Sequence, residues 1–301
     1  MNLYINNFSI RISDNTDDEL FSNKGKTLKI IKSDTSIFRF DPTVIIADPF
    51  LFNYKNELYL FYESQKKWYG KGKLCMIKTS NLKDWSKEKI ILKEPIHLSF
   101  PFVFEYADNL YMIPETGQDG SIRIYENKDK TLENWNLKAK IIDDGKNWVD
   151  SSLIFDDGKF YLFSTQMEFG QNYKQFLFVS DSITGPYKEH PKSPIYVGND
   201  YGRNAGSIFK FQDKWMRPTQ DCQGNYGDNV SVFAIDILSE TDYKESLYKN
   251  NIFHKTGVYK DGGHQFNFIE FNNRIIVATD YMKKNYNIIE FTRRLLKKII
   301  R

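Results

Sequence analysis

ADPFLFNYKNELYLFYES, residues Ala47 to Ser64, is the stretch from which the fold is read, because its pattern returns four more times. SFPFVFEYADNLYMIPET (Ser99 to Thr116), VDSSLIFDDGKFYLFSTQ (Val149 to Gln166), NAGSIFKFQDKWMRPTQD (Asn204 to Asp221) and HQFNFIEFNNRIIVATDY (His264 to Tyr281) lie under it without gaps. Each copy is an apolar run, a polar tip rich in Asp, Asn, Lys and Gly, and a second apolar or aromatic run, which is the pattern of a tight β-hairpin. Level with Asp48 stand Phe100, Asp150, Ala205 and Gln265, at spacings of 52, 50, 55 and 60 residues. Strand-built repeats near 50 residues indicate one four-stranded sheet per repeat set around a channel, so the expected fold is all-β, a five-bladed β-propeller.

Working outward, residues 1–46 hold strand-like segments that are expected to close the propeller by completing a sheet begun at the other end, which removes an exposed edge. Residues 47–290 form the propeller itself. The connectors after the first four hairpins each carry one aromatic, Trp85, Trp135, Tyr187 and Tyr243, of the kind that wedges between neighbouring sheets. Residues 291–301 alternate pairs of cations with pairs of apolar residues, the spacing of a short basic amphipathic helix and a candidate for peripheral contact with an anionic membrane face.

The composition fits this reading. A chain of 301 residues with 19 Tyr and 24 Phe can fill a large core of sheets. The net charge of +3 is too small a bias to point to nucleic acid. The two cysteines, Cys75 and Cys222, stand far apart with no C-x-x-C or His cluster beside them, so neither a disulfide framework nor a zinc site is expected. The N-terminal stretch has no basic segment leading into an apolar run of signal-peptide length, and no run of 18 apolar residues occurs. The expectation is a cytoplasmic protein.

The repeats also say where chemistry can sit. A hairpin begins and ends at the same end of its sheet. The starts Asp48, Phe100, Asp150, Ala205 and Gln265 therefore ring one mouth of the channel, and the ends Glu63, Glu115, Thr165, Gln220 and Asp280 form a second ring beside it. Five carboxylates meet there with Arg203, His264, Gln220 and Gln265. Unpaired acids on the most buried strands are costly, so packing alone does not account for them. Clustered carboxylates suit glycosidic chemistry: one stays ionised beside the anomeric carbon while another, its pKa raised by its neighbours, gives a proton to the leaving oxygen.

ADPFLF with LYLFYE, and VDSSLIFDDGKFYLF, resemble the first and third repeats of the five-bladed propellers of glycoside hydrolase family 43 and its furanosidase relatives. That resemblance implies a catalytic base at Asp48 and an acid-tuning carboxylate at Asp150. The family's general-acid Glu, in a Glu-Gly-Pro context, falls where this chain has Asn204-Ala205-Gly206-Ser207. Alanine cannot donate a proton, so a donor would have to be Glu115 or Glu63. A longer ordered series (ADPFLF, LSFPFVFE, MIPET, WVDSSLIF, GRNAGSIF, RPTQ and Tyr226-Gly227) resembles the propeller domain at the N-terminus of glucosamine inositolphosphorylceramide transferase and of many bacterial proteins of sugar-modifying loci.

The resulting expectation is a carbohydrate-active enzyme that transfers a glycosyl, possibly furanosyl, unit during surface polysaccharide or glycolipid assembly. Asp48, Asp150 and Glu115 are the candidate catalytic residues. Glu63, Arg203, Asn204, Arg217, Gln220, His264, Gln265 and Asp280 are the candidates for substrate binding, with Arg203 and His264 assigned to an anionic donor group. No metal or cofactor is called for. Two alternatives stay open: a hydrolase of the family 43 type, and a non-catalytic propeller that only binds glycan.

Overall fold

The computed structural model describes residues 4–34, 43–66, 70–168 and 172–286. Among these, the regular structure is strand, broken only by three short 3-10 turns at Asp17–Glu19, Gly117–Asp119 and Gly257–Tyr259. The basic tail and its expected helix lie outside the described residues.

All five expected hairpins form. They pair Thr43–Tyr54 with Glu57–Lys66, Ser99–Tyr106 with Asn109–Glu115, and Trp148–Asp156 with Lys159–Glu168. The fourth pairs Arg203–Asn204 and Phe209–Phe211 with Lys214–Asp221, and the fifth Phe266–Phe271 with Arg274–Tyr286. Every tip is a two-residue turn with both residues at positive φ: Lys55 and Asn56, Ala107 and Asp108, Asp157 and Gly158, Gln212 and Asp213, Asn272 and Asn273. That is the backbone of a type I′ turn, whose twist matches the strands it joins.

The hairpins are distributed over four hydrogen-bonded sheets. Hairpins two, three and four each start a sheet of their own, to which two or three further strands are added. Hairpins one and five share the largest sheet, because Tyr4–Asn15 runs antiparallel to Arg274–Tyr286 along its whole length and touches Thr43–Tyr54 in parallel at Phe8 and Ile45. Lys26–Ile31 adds beside it.

Successive hairpins are tied together by their first strands. The Phe266 amide donates to the Ala205 carbonyl at 2.8 Å, Ser152 Oγ to the Gly206 carbonyl at 2.9 Å, and the Leu51 amide to Asn267 Oδ1 at 2.9 Å. Two of the connector aromatics lie against the preceding hairpin. Trp135 meets Phe61 edge-on at 6.5 Å, and Tyr243 meets Phe163 at 5.9 Å. Edge-on contacts of this kind add to the area they bury.

One feature of the hairpin starts positions the site. In the first three hairpins the register slips by one residue at Ala47/Phe50, Ser99/Phe102 and Val149/Ser152. Each slip is a β-bulge, and its extra residue has a left-handed φ: 53° at Asp48, 48° at Phe100 and 50° at Asp150. Pro49 and Pro101 fit here because a bulge frees the position from ladder bonding. Left-handed backbone is costly for a residue as bulky as Phe, and such strain gathers at functional sites.

Candidate functional site

The bulges bring Asp48, the Phe100 amide and Asp150 to one end of the sheets, where a cavity of about 160 Å³ opens, with Asp150 behind its wall. Asp48, Glu63, Glu115, Arg203 and His264 line it, with His97, Ser99, Tyr226 and Phe8 completing the wall. Five of the sequence-predicted residues therefore share one cavity.

Asp48 is buried, yet well provided with donors. The Phe100 amide, presented by the neighbouring bulge, donates to Oδ2 at 3.1 Å, and His264 Nε2 lies 3.0 Å from Oδ1. Burial pushes the carboxyl up, but the hydrogen bond and charge of His264, with the Phe100 amide, outweigh it and hold Asp48 below its ordinary 3.8. Behind His264 sits Asp280, wholly buried, whose Oδ1 accepts the backbone amides of His264 at 2.8 Å and Gln265 at 3.1 Å. Its Oδ2 is 2.9 Å from His264 Nδ1, close but out of hydrogen-bond line. Burial lowers the imidazole's affinity for a proton, but Asp280 and then Asp48 more than reverse this and raise it well above 6.5. His264 is thus an imidazolium held between two carboxylates. Asp48, His264 and Asp280 offer ligand atoms within 4.8 Å of one another. The imidazole turns its two nitrogens to different acids, an arrangement that holds protons rather than converging on one cation.

Arg203 organises the other side. Its Nε donates to Asp150 Oδ2 at 2.5 Å, while a terminal nitrogen lies 3.7 Å from Glu115. The guanidinium lies over Tyr226 at 5.0 Å and Tyr173 at 5.4 Å from the ring centroids, so cation–π attraction assists the carboxylates. Gln220 donates to Asp150 Oδ2 at 3.0 Å and Asn204 to the Asp150 carbonyl at 2.7 Å. Both stand behind Asp150 rather than on the cavity wall. Arg203 and His264, read from the sequence as binders of an anionic donor group, are each already paired with carboxylates, and that role is withdrawn.

Two carboxyls on the wall behave oppositely to Asp48. Burial, then the charge of Asp150 and a hydrogen bond to it, raise Glu115 to about 8 against the pull of Arg203. Burial, then the charges of Asp48 and Glu115, raise Glu63 well above 4.5. The cavity thus sets an Asp48 held toward its ionised form beside two carboxyls, Glu63 and Glu115, that are both pushed toward the protonated form.

Arg217 lies elsewhere. It is 0% exposed, donating from Nε to Glu245 Oε2 at 2.8 Å and from a terminal nitrogen to Oε1 at 2.5 Å, with Tyr243 also donating to Glu245. Its bidentate pair ties two strands of one sheet and leaves no group for substrate. Gln265 is also 0% exposed, with neither amide atom partnered among the described residues, and it is not on the cavity wall. Of the aromatics near the mouth, Trp148 packs against Phe176 and Phe178, and Tyr201 against Tyr196 and Phe233.

Sequence reading missed His97, Tyr226 and Gly72. Tyr226-Gly227 carried a signal as a motif. Gly227, at φ 68°, passes so near His264 that a Cβ would stand 2.9 Å from its Cβ. His97 and Gly72 come from connectors with no repeat to mark them. A Cβ on Gly72 would stand 2.2 Å from the Leu98 carbonyl and 2.6 Å from Glu63 Oε1. Gly72→Ala is therefore expected to cost about 1–3 kcal/mol by overpacking, read as a lower thermal midpoint.

Comparison with known proteins agrees with this architecture. The family model for glucosamine inositolphosphorylceramide transferase 1, N-terminal, matches residues 30–267. Glucosamine inositolphosphorylceramide transferase 1 of Oryza sativa subsp. japonica is 35% identical over 210 residues, which is 68% of this chain and 28% of that protein. The chain thus spans less than a third of that relative. A β-1,2-mannobiose phosphorylase from Listeria innocua superposes with a TM-score of 0.62 at 11% identity, covering 89% of this chain and 96% of that one. The GH43 protein BlXynB of Bacillus licheniformis gives 0.53 at 18% identity, covering 69% and 43%. At these identities the solved structures show the propeller-like fold alone. With its repeat series, its hairpin starts and most of its length inside one family model, the chain belongs to the family of the N-terminal domain of glucosamine inositolphosphorylceramide transferase 1.

Proposed function

We propose that this chain is a carbohydrate-active enzyme, built as a five-bladed wheel whose first and fifth blades share the N-terminal strand, that transfers a glycosyl unit to a polysaccharide or glycolipid acceptor. The observation that carries the reading is the split in protonation within one 160 Å³ cavity. Asp48 is held toward its ionised form by His264 and the Phe100 amide, while burial and neighbouring acids push Glu63 and Glu115 toward the protonated form. Pairs of titratable groups pushed apart in this way supply the acid and the base of glycosidic chemistry.

In this reading the anomeric carbon sits beside Asp48, which stabilises the positive charge of an oxocarbenium-like transition state and receives the proton of the acceptor hydroxyl. A protonated carboxyl across the cavity protonates the leaving oxygen. The Asp150–Arg203 pair, backed by Gln220 and Asn204, keeps Glu115 in place. Support also comes from the names of the relatives, a transferase at 35% identity over 210 residues among them. Against hydrolysis by the family 43 arrangement stands Ala205, 0% exposed at the start of hairpin four, where that arrangement needs a proton donor.

The test is a panel of activated sugars offered with saccharide acceptors, with water and with inorganic phosphate. Transfer to a saccharide is the expected result. Release of free sugar alone would replace transfer by hydrolysis, sugar phosphate would make the protein a phosphorylase, and binding without turnover would leave only a glycan-binding propeller.

A further inference from the structure

Of the two carboxyls on the cavity wall that are pushed toward the protonated form, the surroundings single out one. Glu115 is engaged: Asp150 and Arg203 both act on its carboxyl, with Arg203 3.7 Å away. Glu63 is more deeply buried, with 7% of its side chain exposed against 14% for Glu115, and its Oε1 has no hydrogen-bond partner among the described residues, although the residue lines the cavity. A buried carboxyl oxygen without a partner is costly and calls for an explanation.

The group nearest that oxygen is His97, whose Nε2 lies 3.6 Å from Glu63 Oε1. The Gly72 amide donates to His97 Nδ1 at 2.9 Å. A nitrogen that accepts a hydrogen bond carries no proton, so a neutral His97 must bear its proton on Nε2, facing Glu63. Burial keeps the imidazole neutral by lowering its pKa, against the opposing charge of Asp48. At 3.6 Å the contact is longer than a hydrogen bond, and contacts of this kind tighten when substrate fills a site. Gly72, where any side chain would strike both Glu63 and His97, fixes the pair from beneath.

Resting on the function proposed above, we propose that Glu63 is the group that protonates the leaving oxygen, and that His97, locked as its Nε2–H tautomer by the Gly72 amide, is the positioning residue that stabilises the carboxylate left behind. The Glu63 O–H bond breaks as a new O–H bond forms on the leaving oxygen, which keeps the electron pair of the broken C–O bond. His97 stays neutral throughout and only donates a hydrogen bond. The proton taken from the acceptor hydroxyl by Asp48, on the same cavity wall, returns to Glu63 after product leaves, so the site is restored with no outside reagent. The charged and titratable groups facing Glu63 are Asp48, Glu115, His264 and Asp280, and those facing His97 are Asp48, Arg203 and Asp150.

The pair can be tested with and without turnover. In protein labelled with 13C at Glu carboxyls and 15N at His, with Glu63→Gln identifying the Glu63 signal, Glu63 is expected to be protonated at pH 7. His97 is expected to show a bare Nδ1 and a protonated Nε2. His97→Phe, which removes the donor that an ionised Glu63 would draw into hydrogen-bond range even without substrate, is expected to move the Glu63 midpoint up by about one pH unit. An ionised Glu63 at pH 7, the other tautomer, or an unmoved midpoint overturns the proposal, whatever the sugar panel gives. On any donor that the panel finds to be turned over, Glu63→Gln should lose about 100-fold or more with a poor leaving group and far less with a glycosyl fluoride, which needs no proton. A Glu63→Gln loss equal on both donors also overturns it. A wild-type protein that turns over nothing sinks the transfer reading, while the NMR result still judges the pair.

Discussion

Asp48→Asn is expected to lower turnover by about 10²–10⁴-fold, the range for removing a positioned acid–base group, while leaving binding of the sugar within a few-fold. The substitution is isosteric, and an amide oxygen can still accept the Phe100 amide bond that holds the bulge at φ 53°, while the NH2 then faces His264 Nε2, which accommodates it by giving up its proton. What is lost is a negative charge beside the anomeric carbon and an acceptor for the hydroxyl proton. A steady-state measurement of kcat against KM separates the two, because a group that acts only in the transition state changes kcat and kcat/KM together. The pH profile of the wild type should carry the same signature. Asp48 lies below its ordinary 3.8, so it stays ionised across the working range and limits the rate only in strong acid. On the alkaline side the rate should fall as protonated carboxyls are lost, with Glu115 titrating at about 8. Unchanged turnover in Asp48→Asn would remove the catalytic reading and leave a binding propeller.

The fold was legible because a hairpin writes itself into sequence twice, in alternation and in its turn. Lys55-Asn56, Asp157-Gly158 and Asn272-Asn273 are tips that chain chemistry announces, and five such tips at near-constant spacing imply a repeated sheet. That hairpins one and five share a sheet was harder to read, since it depends on one parallel contact between Phe8 and Ile45. For the site, Asp48 and Asp150 could be found because their bulges recur at the same place in the repeat and Pro49 marks one of them. Arg217 misled because its partner, Glu245, stands 28 residues away on a strand without period. His97 and Gly72 were invisible for a related reason: a connector residue earns its role from the space it borders, and spacing along the chain does not encode that space.

Arg203→Met is expected to be the most destabilising single change at the mouth, about 3–5 kcal/mol, the range for removing one partner of a buried ion pair. The side chain would keep its volume between Tyr173 and Tyr226, but Asp150 would lose its charge partner and keep only the Gln220 amide on that oxygen. The adjacent Asp150→Asn change, made on the Arg203→Met background, should recover a large part of the loss, because it removes the unpaired charge instead of the contact. Additive losses in that double variant would show that Arg203 acts by packing alone. The pH dependence of stability gives an independent check on the same cluster. Glu115 titrates at about 8 in the folded protein against an ordinary 4.5, so between those values the folded chain holds a proton that the unfolded chain releases. Its contribution is full below about pH 4.5 and is lost as pH rises toward 8. His264, also raised above its ordinary 6.5, acts in the same direction from that pH upward. Denaturant midpoints should therefore decline from mildly acid to mildly alkaline conditions, and Glu115→Gln, which cannot release a proton, should flatten part of that decline. Stability that instead rises over this window would mean that Glu115 is ionised in the folded protein, and the mouth would then lack the protonated carboxyls on which its proposed chemistry depends.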